Sequence, residues 1–234
     1  AIAENAPADA DYGEGWQWIA STKLYKELKE NNALIEVGSI EDFYNAQAGT
    51  ALDAFYNLET DLKGLLTIEP ITQAELDNLN TNIELDALAI ELIDQQMKTA
   101  TPWELESLLN ERVNLLQSLS VDLSEYYTII DDLAAIQLIE SDQLIAQNAA
   151  INATAIYESN RKTVNQIYLN TIVKKTDNFS VQEFSQLLNV ALQCPEVGGD
   201  AIYQARAMLG LFFDNENCNS LDERSSAKET SDHQ

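Results

Sequence analysis

Histidine is nearly missing from this chain: the single one, His233, is the next-to-last residue. Ser-His-Asp and Cys-His nucleophilic sites need a positioned imidazole, and di-iron helical bundles need Glu-x-x-His, so those chemistries are not expected. Cysteine is scarce too. Cys194 and Cys218 stand alone, without a Cys-x-x-Cys pair or a neighbouring histidine, which argues against a thiolate metal centre. No glycine occurs between Gly64 and Gly198. Phosphate-cradling and dinucleotide glycine motifs are absent with it. No apolar run reaches the roughly 18–20 residues of a membrane span. Basic residues are few, 13 against 39 acidic, for a net charge of −26 over 234 residues. Such a surface repels nucleic acid and anionic lipid.

What remains reads as helix. β-branched alternation is nowhere sustained, and apolar residues recur at spacings of three and four. The first helix is expected over 21–31. A second runs over 39–65 with Ser39 as N-cap and a stripe from Tyr44 to Leu65. Pro70 breaks that run, and the box Thr72-x-x-Glu75 opens the next helix. Thr101-Pro102-Trp103-Glu104 is a strong start signal, with Pro at the first helical position. From there to about residue 175 nothing interrupts, so one or two polar breaks are expected, at Ser118–Asp122 or Ser141-Asp142. The apolar spacing over this stretch holds no strict heptad, which favours an antiparallel bundle over a two-stranded coil. Ser180-x-x-Glu183 caps a further helix, and Asp200 caps the last, over 201–213.

The expected fold is therefore all-α: an antiparallel bundle of long helices with a C-terminal disulfide-tied helical hairpin. Residues 1–20 form an irregular segment, 21–175 the bundle, 176–220 the hairpin and 221–234 a polar tail. The opening AIAENAPADADYGEG lacks an initiator Met and reads as a processed product or a fragment.

Within the hairpin, Pro195, Gly198 and Gly199 form the turn that reverses the chain. Tyr203, Ala207, Met208 and Leu211 mark a face of the last helix, and Arg206 has Glu158, Glu183 and Glu196 as candidate partners. Arg161, Lys162, Lys174 and Lys175 are the one basic concentration, either a solvated face or a binding patch. Cys194 and Cys218 are either two thiols or a bridge; a bridge would close a loop of about 25 residues, for which chain entropy gives on the order of 3 kcal/mol. Carboxylate pairs such as Asp131-Asp132 are expected by chance among 39 acids, so no catalytic residue is assigned. Asp214–Asn217 has the oxygen ligands for calcium but lacks EF-hand spacing, so no cofactor is assigned and calcium is the one ion kept open.

Three runs carry a resemblance. They are Asn148-Ala-Ala-Ile151, then Tyr157-Glu-x-Asn160-x-Lys162-Thr-Val-Asn165-x-Ile-Tyr168-Leu, then Cys194-Pro-x-x-Gly198-Gly199-x-Ala201-x-Tyr203-x-Ala205-Arg206-Ala207. Over roughly 145–220 the chain resembles the helical region that precedes the C-terminal sorting domain in secreted proteins of the Bacteroidota type IX secretion system. The resemblance implies an exported, cell-surface or secreted protein, often multidomain. Its implied partners are other domains, other proteins and the secretion machinery, with no membrane insertion. It implies no catalytic residues, and the oxidising compartment favours the Cys194–Cys218 bridge. The expected function is a non-catalytic structural or interaction module. The alternative is an extracellular ligand- or ion-binding protein using Trp16, Trp18, Tyr126 or Tyr127.

Overall fold

The computed structural model describes residues 13–36, 38–176 and 178–211, and among them every regular element is helical. The helices are α1 (Glu14–Glu30), α2 (Gly38–Ala46), α3 (Ala51–Leu65), α4 (Pro70–Met97), α5 (Pro102–Ala150), α6 (Ile156–Tyr168), α7 (Val181–Ala191), α8 (Pro195–Gly198) and α9 (Ala201–Leu209), with a 3-10 turn at Asn32–Glu36 and a π turn at Leu169–Val173. The chain divides into two compact units, one of Ala1–Lys63 with Ser141–Gln234, the other Gly64–Glu140. Among the described residues no helix is long and apolar enough to cross a membrane.

Several expected boundaries moved, each for a local reason. α1 begins at Glu14, inside the segment expected to be irregular. The 39–65 stripe is two helices, because Gly49 adopts φ 75° and the Asp53 carboxylate accepts its N–H. Pro70 starts α4 as its first helical residue, where a missing N–H costs nothing, so it opens the helix it was expected only to precede. The long helix does not break at Ser118–Asp122 or Ser141-Asp142; it ends at Ala150. Neither proline nor glycine stops it. Lys162 Nζ donates to the carbonyls of Ala149 and Ile151, and Glu158 accepts the N–H groups of Thr154 and Ala155. Both helix ends thus find partners for groups that would otherwise be orphaned. The Ser180–Glu183 capping box forms as expected, with Ser180 Oγ accepting the Glu183 N–H at 3.2 Å. α9 stops at Leu209 rather than residue 213, since Gly210 takes the left-handed conformation that terminates helices. Phe212, Phe213, Cys218, Asp214–Asn217 and the tail over 221–234 lie outside the described residues.

The unit that holds both chain ends has a core of Val164, Ile167, Leu187, Val190, Ala191, Ala201, Ile202 and Ala205 from α6, α7 and α9. Small side chains at Ala191, Ala201 and Ala205 let α7 and α9 approach closely. The buried face of α9 is Ala201, Ile202, Ala205 and Arg206, one step round from the expected face; Tyr203 is exposed.

In the Gly64–Glu140 unit, α4 and the first part of α5 are joined by four residues, a connection short enough for a helical hairpin, and Arg112 on α5 reaches back to Asp94 on α4. The less exposed positions of α4 include Leu76, Leu79, Ile83, Asp86, Ile90, Ile93 and Met97, with Thr72, Ala89 and Asp94 beside them. On α5 they include Leu105, Leu108, Arg112, Leu115, Leu119, Asp122, Tyr126, Ile129 and Leu133. The residues named alternate three and four, the spacing of a heptad seam. The sequence pattern concealed it because Asp86, Arg112 and Asp122 occupy seam positions. Arg112 Nε reaches Asp94 Oδ1 at 2.7 Å, whereas one buried oxygen of Asp86 has no hydrogen-bond partner. Replacing a buried, unmatched polar group by a leucine suited to the seam should stabilise this unit by on the order of 1 kcal/mol. Urea unfolding of Asp86→Leu should therefore show a raised midpoint; a lowered one would mean that the carboxylate is needed there.

Candidate functional site: the Arg161 recess

Arg161 lies on α6, three residues before the buried Val164, so its guanidinium projects from the edge of the core. One of its terminal nitrogens donates to Asp200 Oδ2 and the other to Glu59 Oε2 at 3.2 Å. Lys26 Nζ meets the second Glu59 oxygen. These groups border a recess of about 460 Å³ that Thr22, Lys23, Leu58 and Tyr168 also line. Lys23, Lys26 and Arg161 outnumber Glu59 and Asp200, so the recess is net positive within a chain of charge −26. Arg161 Nε and Thr22 Oγ1 are buried without hydrogen-bond partners, and Lys23 makes no ion pair with another described residue. Arg161 and Lys26 are already paired with Asp200 and Glu59, which leaves Lys23 as the cation of the recess that a small anionic group could meet.

The recess is positioned by the Cys-Pro-x-x-Gly-Gly turn. Pro195 starts α8 and is buried; Gly199 follows at φ 73°. A Cβ on Gly199 would lie 2.8 Å from Tyr157 Cβ and 3.1 Å from Trp18 Cδ1. A Cβ on Gly198 would lie 2.5 Å from Ile202 Cδ1. The close approach lets Asn160 Nδ2 bond the Gly198 carbonyl at 3.1 Å and Gln193 Oε1 at 2.7 Å. Asp200 was expected to cap α9; it makes no side-chain cap and instead accepts Trp18 Nε1 at 3.1 Å and Arg161. Trp18 itself is core, stacked on Tyr157 with centroids 5.0 Å apart and edge-on to Phe55.

The other expected interaction residues part ways. Lys162 caps the end of α5. Lys174 pairs with Asp142, and Lys175 is exposed at φ 53°, so the basic run forms no single patch. Arg206 does not meet Glu158, Glu183 or Glu196 in the bonds described: it is buried, with Nε on the Ala191 carbonyl at 2.9 Å and a terminal nitrogen on Gln193 O at 3.1 Å. It ties the end of α7 to α9, a structural role. Cys194 precedes α8 as its N-cap residue. Among the aromatics proposed for a ligand site, Trp16 is 39% exposed and Trp18 is buried, while Tyr126 and Tyr127 pack edge-to-face in the other unit.

Sequence reasoning missed a second cluster altogether. Lys29 Nζ lies 5.1–5.6 Å from the ring centres of Tyr25, Tyr44 and Tyr56 and 3.2 Å from Asp53 Oδ1. The Tyr25 hydroxyl donates to Asp53 at 2.7 Å. Burial, reinforced by that carboxylate, pushes Tyr25 up to about 12, and its bond to Tyr25 raises Lys29. Nothing in the spacing of Tyr25, Lys29, Tyr44 and Tyr56 along three different helices signals this cage.

Burial pushes Glu59 upward, but the Lys26 hydrogen bond and the Arg161 charge outweigh it and hold the carboxyl below its ordinary 4.5. Asp53 behaves alike: burial raises it, while the Tyr25 hydroxyl, the Gly49 N–H and Lys29 together hold it below 3.8. A carboxyl depressed in the folded state takes up its proton first in the unfolded chain. Its stabilisation is complete above the unfolded value and disappears as pH falls through the folded one. Urea midpoints should therefore fall as pH is lowered from about 5 to about 3. Glu59→Gln should be less stable at pH 7 and show a shallower acid dependence; an unchanged slope would remove Glu59 from this role. Compared with known proteins, the chain matches no protein-family model, no curated protein and no solved structure.

Proposed function

We propose that this chain is a non-catalytic helical module of an exported bacterial protein, a scaffold that presents a docking surface to protein partners or neighbouring domains. The observation that carries this reading is in the Gly64–Glu140 unit. Leu85, Leu88 and Leu92 on α4, and Leu109, Val113, Val121 and Tyr127 on α5, are each more than 40% exposed. Exposed large apolar side chains grouped on two helices in this way are a mark of interaction surfaces. Export as type IX cargo, at the cell surface or released, is supported by the resemblance over 145–220, whose Cys-Pro-x-x-Gly-Gly turn is the packing centre of the larger unit. With export goes a Cys194–Cys218 bridge.

Two measurements test the two halves of the reading. A photo-crosslinker at Leu88 or Val113 in the full-length secreted protein should give discrete protein adducts, and adducts no stronger than those from the polar position Asn80 would overturn the docking role. Intact mass after alkylation, with and without reductant, should show the bridge in non-reduced material, and two alkylated thiols there would remove it.

A second reading, an extracellular ligand-binding protein, is favoured by the recess alone. If it holds, millimolar small carboxylates should raise the melting temperature of the chain, by mass action, and should fail to do so in Lys23→Ala. Calcium is the control. Among the described residues no group of His, Cys, Asp or Glu is arranged to hold a metal ion.

A further inference from the structure

The recess beside Arg161 takes side chains from α1, α6 and the start of α9, and each contributes two kinds of polar group. On α1 they are Lys26 and, three residues earlier, Lys23. On α6 they are Arg161 and, further along, Asn165 and Tyr168; at α9 they are Asp200 and, four residues on, Gln204. Residues three or four apart share a helix face, so each set points the same way. The first member of each set is committed. Lys26, Arg161 and Asp200 belong to the ring of ion pairs that Glu59 closes.

The other members are not committed. The side chains of Lys23, Asn165, Tyr168 and Gln204 make no hydrogen bond or ion pair with another described residue. Amides elsewhere on α6 and its neighbours are used within the chain: Asn160 bonds Gln193 and the Gly198 carbonyl, and Gln166 accepts from Asn148. A local feature of the backbone falls at the same place. At Tyr168 the α-helix passes into the π turn Leu169–Val173, and Leu169 also lines the recess. Such turns occur frequently at functional sites.

The uncommitted groups define what the recess would take. Lys23 is the one cation left over, since Lys26 and Arg161 are matched by Glu59 and Asp200. It balances a single carboxylate, whereas a phosphate carrying two charges would remain half unmatched. The two amides and the phenol each give and accept hydrogen bonds, and so does their complement, a hydroxyl. The apolar wall offers little to an acyl chain, because Leu58 is 3% exposed and Leu169 1%. A volume of about 460 Å³ is within the range of small-molecule sites.

We propose that the recess binds a hydroxylated carboxylic acid, the class to which sugar acids belong. Lys23 Nζ meets the carboxylate, and Asn165, Tyr168 and Gln204 meet the hydroxyls. The proposal rests on the ligand-binding reading of the recess and names its ligand.

The full chain is titrated calorimetrically, at low salt, with glucuronate, galacturonate and gluconate, and with glucose, acetate and inorganic phosphate as comparisons. The best of the three hydroxy acids should bind at least about tenfold more tightly than acetate, glucose or phosphate. Lys23→Ala should weaken it about tenfold, while Lys23→Arg, which keeps the charge, should retain most of the affinity. Gln204→Ala should weaken it about fivefold and leave acetate unchanged. Lys23 is exposed and Gln204 half-buried, so the urea midpoints of the unliganded variants should match that of the parent, which separates lost binding from lost folding. Acetate or phosphate binding as tightly as the best hydroxy acid overturns the proposed class, and the ligand-binding reading stands. Hydroxy-acid binding that survives Lys23→Ala and Gln204→Ala unchanged overturns the proposed site. If none of the six compounds binds, the proposal and the ligand-binding reading both fall.

Discussion

Backbone meets side chain directly around the short helix α8, and the packing of the larger unit depends on the missing Cβ atoms that allow it. Gly15 on α1 lies against the Pro195 carbonyl and the Glu196 backbone, where any side chain would collide. Gly199 admits Trp18 and Tyr157, and Gly198 admits Ile202 and Asn160. One turn thereby gathers α1, α6 and α9. Asp200, immediately after it, is placed to take Trp18 on one oxygen and Arg161 on the other. Arg161 extends the chain of bonds to Glu59 on α3, and Glu59 to Lys26 on α1. A polar ring closes around the recess on account of a glycine contact some distance away.

The charge of the chain is arranged by the same economy. Cations are few, and many are turned inward onto groups of the chain itself. Arg206 and Lys162 sit on backbone carbonyls at helix ends; Lys29 sits among three tyrosines; Arg161 sits between two carboxylates. Much of the acidic excess is left on the outside, where copies and polyanions are repelled alike.

How much of this could be read from the residues alone varied with the type of signal. The all-helical class was legible, as were the starts at Thr101-Pro102 and Ser180, because capping and helical spacing are local and the residues that carry them are adjacent. The turn at Pro195, Gly198 and Gly199 was legible as a turn. Its role as a packing centre was not, since the partner Gly15 lies 180 residues away. Which α4 and α5 positions are less exposed was not legible, because Asp86, Arg112 and Asp122 interrupt the apolar letters there. Arg161 was singled out as a member of a basic run, yet its sequence neighbours Lys162 and Lys174 point to other tasks.

By itself the sequence determined the class of fold and the acidic surface, since these follow from composition and from interactions within a few residues. Tertiary structure decided which carboxylate each cation meets, which face of α9 is buried and where the long helix ends. Those outcomes depend on distances between helices far apart in the chain. Helical spacing specifies that a face is apolar; only packing specifies whether anything lies against it.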